Sequence, residues 1–364
     1  MPPRVTYWTS VWDPAKEAIS KQVNALRTGS RRRAPLVAFA PGQSFRFAPR
    51  ERALVLSGRS WLALRGVAAL IEPKGDITHI FGGRFSWHLF RALGRRPLLL
   101  TAVAPTSGQV EIPARLAHVV VETETAADEW LHAGVPADDI SLIRPGVDLD
   151  WFQMPESPEP LRMSLLFAST PADPADIDRR GIPLLIDLAR LRPDIDIIIP
   201  WRQWGDVVGA RRRLEALRIP ANVTVTHEVV HDLRPCLARA HATVLCFEEG
   251  AGKSCPAFVI EGLAAGRPCV TTPGGISDLI RRTGAGVVAA PDAASLAAAV
   301  DELRNRRIEY ARRARRLAEE EFDVRTYRRR YDDLYLTIVK RKADGDDGPD
   351  RAHSASDSGP RQQT

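Results

Sequence analysis

One feature constrains this chain more than any other: short apolar runs rich in β-branched residues alternate with longer stretches whose apolar residues recur at helical spacing. In the first half, Val5–Tyr7, Pro35–Ala40, Asp76–Phe81, Pro97–Val103, His118–Glu122 and Ile140–Ile143 read as strands. Between them, Lys16–Leu26 puts Ile19, Val23 and Leu26 on one face, and Trp61–Ile71, Phe85–Leu93 and Ala126–Ala133 read as further helices. The second half repeats the alternation. Its strands are Ser164–Ala168, Ile195–Pro200, Val223–Thr226, Thr243–Phe247, Cys269–Thr272 and Gly286–Ala289. Its helices are Ile182–Leu191, Asp206–Leu217, Leu233–Ala240, Ala257–Ala265, Ile276–Arg282 and Ala293–Leu303. Strands apolar along their whole length must be covered on both faces, as helices cover a parallel sheet. The pattern therefore predicts an α/β protein with two doubly wound parallel sheets.

The chain has 364 residues, which fits two domains at roughly 100–200 residues each. The proline- and acid-rich segment Asp150–Arg162, without periodicity, reads as the linker. The predicted units are residues 1–150 and 163–325. Ile308–Lys342 is a long charged helical stretch with one break near Phe322–Val324, and its last part, 326–342, is a separate helix. Residues 343–364 have no apolar anchors and are expected to be disordered. Two such units place ligands at the strand C-termini and in the cleft between domains.

No run of about 18 apolar residues occurs, so no transmembrane helix is expected. The N-terminal MPPRVTYWTSVWDP lacks a secretory pattern, which predicts a cytoplasmic protein. The four cysteines, Cys236, Cys246, Cys255 and Cys269, have no metal-site spacing and read as reduced thiols. The net charge of +6 is uneven: the first 100 residues hold 17 Lys+Arg and 5 Asp+Glu, a balance of +12, which leaves −6 for the rest. Such asymmetry speaks to partners and not to fold. It suits an anionic membrane, an anionic glycan or a phosphorylated acceptor, and an arginine-rich composition alone also produces it. Arg31-Arg32-Arg33 lacks any accompanying nucleic-acid module, so no nucleic-acid partner is expected.

The chemistry concentrates in Phe247–Asp278, FEEGAGKSCPAFVIEGLAAGRPCVTTPGGISD. The loop Gly250–Pro256 offers backbone amides, Gly252 and Ser254 among them, at the start of a helix near Ala257. A helix N-terminus has unpaired N–H groups and partial positive charge, which suits a phosphate. Lys253 adds a mobile cation for the same anion. Glu261, one turn into the helix, can accept from the two hydroxyls of a ribose. Pro273-Gly274-Gly275 lets a second backbone segment come close to a ligand. Each feature alone has a plain structural reading, as a tight turn or a solvated helix face. Their combination points to a nucleotide.

The same segment resembles the donor-binding motif of retaining glycosyltransferases of family 4, the group 1 enzymes of the GT-B fold. The matching residues are Pro256, Glu261-Gly262-Leu263-Ala264-Ala265-Gly266, Pro268, Val270, Gly274-Gly275-Ile276 and Asp278. Val135–Phe152, Asn222–Phe247 and Phe322–Tyr335 also resemble stretches of that family, in the same order. The resemblance implies two Rossmann-like domains facing a cleft, with the last helix crossing back onto the first domain. It implies a nucleotide-diphosphate sugar donor, UDP- or GDP-linked, no metal and no other cofactor, and transfer with retention to a glycan, lipid-linked or small-molecule acceptor. Glu261 matches the acid that holds the donor ribose. The family's other acid lies eight residues earlier, where this chain has Lys253. Arg180 takes the place of one diphosphate-binding cation, and Arg202 is the candidate for the other. His79, read as ending its strand at the cleft, matches a family histidine, and Asp13 is a candidate for positioning acceptor or sugar hydroxyls. Gly252, Ser254, Gly274 and Gly275 complete the implied donor site. The family's second histidine is missing from Leu100–Pro105. That absence and the lysine at position 253 keep open a degenerate, non-catalytic protein; a sugar-nucleotide epimerase on the same fold is a second alternative, which should carry more acidic and histidine residues than the expected loops offer. The basic first hundred residues fit peripheral contact with an anionic membrane.

Overall fold

The computed structural model describes every residue except 1, 16, 30–33, 41–42, 59–60, 83–86, 104–111, 113–114, 154–161, 203–204, 228–229, 249 and 345–364. The arginine triplet at 31–33, most of the expected linker, Glu249 and nearly all of the expected disordered tail lie outside the described residues.

The first half contains β1 (Val5–Thr9), α1 (Ala18–Gly29), β2 (Leu36–Ala40), β3 (Arg46–Ala48), β4 (Ala53–Ser57), α2 (Trp61–Ile71), β5 (Ile77–Gly82), α3 (Trp87–Ala92), β6 (Leu98–Ala102), β7 (Leu116–Val121), α4 (Glu124–His132) and β8 (Ile140–Leu142). Its strands form one sheet in the order β3-β4-β2-β1-β5-β6-β7-β8. All pairings are parallel except β3 with β4. The β3–β4 pair is absent from the sequence reading. β3 is short and largely exposed, and the apolar run Ala53–Leu56 of β4 is short and follows directly on the charged Arg50-Glu51-Arg52.

The second half contains β9 (Met163–Leu166), α5 (Pro174–Arg179), α6 (Ile182–Leu191), β10 (Ile195–Pro200), α7 (Val207–Ala216), β11 (Val223–Thr226), α8 (Arg234–Arg239), β12 (Ala242–Leu245), α9 (Ala257–Ala264), β13 (Cys269–Thr271), α10 (Ser277–Thr283), β14 (Gly286–Val288) and α11 (Ala293–Asn305). These strands form a parallel sheet in the order β11-β10-β9-β12-β13-β14. The order reverses between β9 and β12, the switch point at which doubly wound folds bind ligand. Caps set the helix starts: Thr123, Asp173, Asp206 and Asp292 each accept a backbone N–H in the first turn of α4, α5, α7 and α11. α5 escapes sequence reading because only Ile177 of its six residues is buried.

Two more helices close the chain, α12 (Arg307–Glu321) and α13 (Val324–Ala343). Between them Phe322 O accepts from Val147 N at 2.7 Å, and Val147 O accepts from Val324 N at 3.1 Å. The chain thereby returns to the first sheet. Tyr327, Tyr331, Leu334, Tyr335 and Ile338 of α13 pack with Val5, Tyr7, Ile77 and Phe81 in one buried cluster. Each such ring, taken out of water, stabilises the junction by roughly 2–3 kcal/mol. Arg144, 5% exposed, ties the same junction by ion pairs to Glu124 at 2.6 Å and Glu321 at 2.9 Å.

Candidate active site

A cavity of about 660 Å³ opens between the two sheets. Its walls are the loops beyond the C-terminal ends of parallel strands: Val11 and Asp13 after β1, Ala168–Thr170 after β9, Pro200 and Arg202 at the end of β10, and Phe247 after β12. Pro256, Ala257 and Phe258, at the start of α9, complete one side. No side chain caps that helix start, so its first amides have no partner of that kind. Of the residues singled out in the sequence, Asp13, Arg180, Arg202, Gly252, Lys253 and Glu261 all line this cavity.

Arg180 is held from two sides. Its guanidinium donates to Ser169 Oγ and, at 3.3 Å, to Asp176 Oδ2, and it lies 5.6 Å over the ring of Phe247. Its Nε is buried and makes no hydrogen bond. The neighbouring Gly181 has φ +71, and a side chain there would run into the Cys246 carbonyl, so glycine allows the Arg180 loop to close on β12. Arg202 is fixed through its backbone N–H, which donates to Thr170 Oγ1 at 3.2 Å. On the first-domain wall, the Asp13 backbone N–H donates to Ser20 Oγ at 2.9 Å, anchoring the loop before α1.

Glu261 faces the cavity from α9 and has a partner that sequence reasoning missed. Lys21 of α1, 240 positions away, donates to its Oε1 at 3.0 Å. Burial pushes the Glu261 carboxyl above the ordinary range, and Lys21 pulls it back. The carboxylate that faces the cavity is therefore engaged by a cation from the opposite domain. Nothing in the sequence relates Lys21 to Glu261, because only the closed arrangement of the two halves brings them together.

Lys253 turns inward. Its Nζ is buried without a hydrogen-bond partner, and the opposite charge acting on it belongs to Glu122. Glu122 directly follows β7, is 1% exposed and accepts from Gln22 Nε2 at 2.9 Å. Its carboxyl is pushed up to about 7 by burial, against the pull of Lys253, Gln22 and the Cys255 backbone. An acid at the C-terminal end of a buried apolar strand is the sequence signal that could have singled it out.

His79 needs correction, and two further expectations are placed differently from the reading above. His79 does not end its strand at the cleft. It is the third residue of β5, fully buried, with Nδ1 2.7 Å from Tyr335 Oη and Nε2 2.7 Å from Thr101 Oγ1. Helix α13 covers the face where a cleft was expected, and burial holds the imidazole well below its ordinary pKa, hence neutral. Ser254, Gly274 and Gly275 are not brought to the large cavity either. They line a smaller one of about 300 Å³, with Thr123 and Glu129 of the first half opposite and Lys253 shared between the two. Ser254 and Gly275 pack closely: a side chain on Gly275 would stand 2.7 Å from the Ser254 carbonyl oxygen. Gly275 is thus held against Ser254, while Gly274 faces open space at the smaller cavity. Lys253 itself, read as a mobile loop cation, has its ammonium sequestered beside Glu122.

Comparison with known proteins agrees with this geometry. Residues 201–306 match the family model described as "Glycosyl transferases group 1". No curated protein sequence matches the chain at a significant level. Among solved structures, HepE (Alr3699) of Anabaena in complex with UDP-glucose superposes with a TM-score of 0.71 at 14% identity, over 94% of this chain and 100% of that one. Sucrose-phosphate synthase of Thermosynechococcus elongatus gives 0.70 at 14% identity, over 93% and 99%. A glycosyltransferase of Rickettsia africae gives 0.68 at 16% identity, over 93% and 99%. With both sheets and the closing helix in place, the chain has the GT-B fold, and residues 201–306 of its second half are similar to the group 1 glycosyltransferase family model.

Proposed function

We propose that this protein transfers a sugar from a nucleoside-diphosphate sugar, UDP- or GDP-linked, to an acceptor, with retention of anomeric configuration and without a metal. The observation that carries this reading is that one cavity gathers Glu261, Arg180, Arg202, Asp13 and the open start of α9. The solved HepE complexes with UDP and with UDP-glucose support a nucleotide-sugar donor on this fold.

In this reading Glu261 accepts from the ribose diol once Lys21 is displaced. The guanidinium forks of Arg180 and Arg202, with the first amides of α9, hold the diphosphate and stabilise its charge as the glycosidic bond breaks. These fixed cations take the part a metal plays elsewhere. Asp13 orients acceptor or sugar hydroxyls from the first domain. The leaving phosphate accepts the acceptor's proton, so no separate general base is assigned. Closure of the cleft excludes water and protects the donor from hydrolysis.

The acceptor is a glycan, a lipid-linked sugar or a small molecule. Among the described residues no helix is long and apolar enough to cross a membrane. The reading is a cytoplasmic protein meeting anionic lipid through its basic first hundred residues, where Phe45, Phe47 and Leu62 are exposed. Salt-sensitive flotation with anionic liposomes tests that contact, and recovery of all protein in the unbound fraction removes it. The donor assignment is tested by thermal shift against a panel of nucleotide sugars. A specific ligand at 100 times its Kd stabilises by about 2.7 kcal/mol. A flat response across UDP- and GDP-sugars overturns the assignment.

A further inference from the structure

Among the described residues, eight buried side-chain polar atoms make no hydrogen bond. Four of them, Gln22 Oε1, Glu122 Oε2, Lys253 Nζ and Tyr327 Oη, belong to one junction. Gln22 is bonded to Glu122, and the charge of Glu122 acts on both Lys253 and Tyr327. Four elements meet there: α1, the end of β7, the loop before α9, and α13. Gln22, Glu122 and Tyr327 are all more than nine-tenths buried.

An orphaned buried polar atom costs about 1–3 kcal/mol, so a native protein rarely gathers several without a use for them. The chemistry of the set narrows that use. Above about pH 7, where the Glu122 carboxyl has given up its proton, the carboxylate only accepts hydrogen bonds and an ammonium only donates them. The two do not bond directly, so the group that completes both must donate to Glu122 and accept from Lys253. A hydroxyl does both.

The source of the hydroxyl follows from position. Lys21, beside Gln22 in the chain, and Lys253 itself line the cavity holding Glu261, Arg180 and Arg202. Thr123, beside Glu122, lines the smaller cavity that Lys253 also borders. Lys253, which borders both cavities, therefore joins them to the junction, with Glu122 buried directly behind it. With the nucleotide on Glu261 and the diphosphate on the arginines, the hydroxyls within reach are those of the donated sugar. We propose that Glu122 and Lys253 form a subsite that reads a hydroxyl of the donor sugar, which makes Glu122 a specificity-determining residue supplied by the first domain. The subsite is complete only when the cleft is closed, because its acid and its base sit on opposite domains. It rests on the donor reading above.

The test compares calorimetric affinities for UDP with UDP-glucose, and GDP with GDP-mannose, in the wild-type protein and in Glu122→Gln. The wild type is expected to bind one sugar nucleotide at least ten-fold more tightly than its bare nucleotide. Glu122→Gln is expected to remove most of that preference while leaving the bare nucleotide within two-fold. A variant that keeps the full preference means the junction holds only water, and equal weakening of nucleotide and sugar nucleotide means a purely structural acid; either result overturns the subsite. A wild type that binds nucleotide but gains nothing from the sugar overturns the subsite and leaves the nucleotide site standing. Binding of neither nucleotide class overturns the donor reading and this inference with it. Singly deoxygenated analogues of the bound donor, tested on the wild type, make the same decision if the variant does not fold. One analogue is expected to lose about ten-fold in affinity, and an unchanged series overturns the subsite.

Discussion

Substituting Lys21 by methionine should weaken the empty protein and tighten its donor complex. Lys21 Nζ lies 3.0 Å from Glu261 Oε1. Unit charges at that separation attract by about 1 kcal/mol in water and about 5 kcal/mol at an effective dielectric of 20. The lysine is 41% exposed, so solvent screens the pair and its net worth lies nearer about 1 kcal/mol. Loss of that amount lowers Tm by roughly 2 °C in a protein of this size. The donor gains what the apo protein loses. If the ribose diol must replace Lys21 on the carboxylate, removing the lysine saves about 1 kcal/mol of competition, and affinity rises about five-fold. Because burial pushes the Glu261 carboxyl upward, both proteins are compared at the same mildly alkaline pH. Differential scanning calorimetry gives the first quantity and titration with the best nucleotide sugar gives the second. Movement in opposite directions is the signature of a competing latch. A lower Tm with weaker donor binding would refute it, because Lys21 would then be touching the donor.

Other expectations follow from the same contacts. Glu122 has its carboxyl at about 7 against an ordinary 4.5, so folding takes up a proton between those values. Its share of stability is complete below about pH 4.5 and is lost as pH rises through 7, by up to about 3 kcal/mol. Denaturant midpoints between pH 5 and 8 should therefore fall less steeply for Glu122→Gln than for the wild type, and parallel curves would contradict the burial argument. Arg180→Met removes a guanidinium already aimed at the cavity and should weaken diphosphate ligands about 10–100-fold, with little change for a bare nucleoside, as read by titration. His79→Gln breaks a buried bonded array with Tyr335 and Thr101. It should cost about 2–3 kcal/mol in chemical denaturation while kcat/KM of the folded fraction stays within a few-fold; an unchanged stability with lost activity would restore a catalytic role.

The legible part of this protein is what repeats locally. β10, with five of its six residues buried, and α6, with its apolar stripe, are visible because burial on both faces or on one face writes its own period. The break between α12 and α13 is visible because Phe322-Asp323 interrupts a helical pattern and Asp323 caps the next helix, accepting from Arg325 N at 2.8 Å. Glu261 could be placed in a site from the glycine-containing loop that precedes α9, and Arg180, between α5 and α6 beside Gly181, from its match to a diphosphate-binding cation of the family pattern. Lys21 could not, since its partner lies 240 positions away on another domain, and Glu122 carried a signal only as an acid at a strand's end, its contacts with Gln22 and Lys253 being set by the closure of two sheets. His79 misled for the same reason: its strand looked open at the end, and only the return of α13 buries it. The glycine pair at 274–275 carries the composition of a ligand loop, and both residues line the smaller cavity with positive φ values, Gly275 close against Ser254.

The central claim is that Glu261 anchors a nucleotide sugar in the cavity between the two sheets. Calorimetric titration of the wild type and Glu261→Ala with UDP-glucose and GDP-mannose tests it most directly. Saturable one-to-one binding of one of them to the wild type is expected, with a loss of at least ten-fold in the variant and the fold intact by circular dichroism. Equal affinity in the two proteins, or no binding to the wild type, would contradict it.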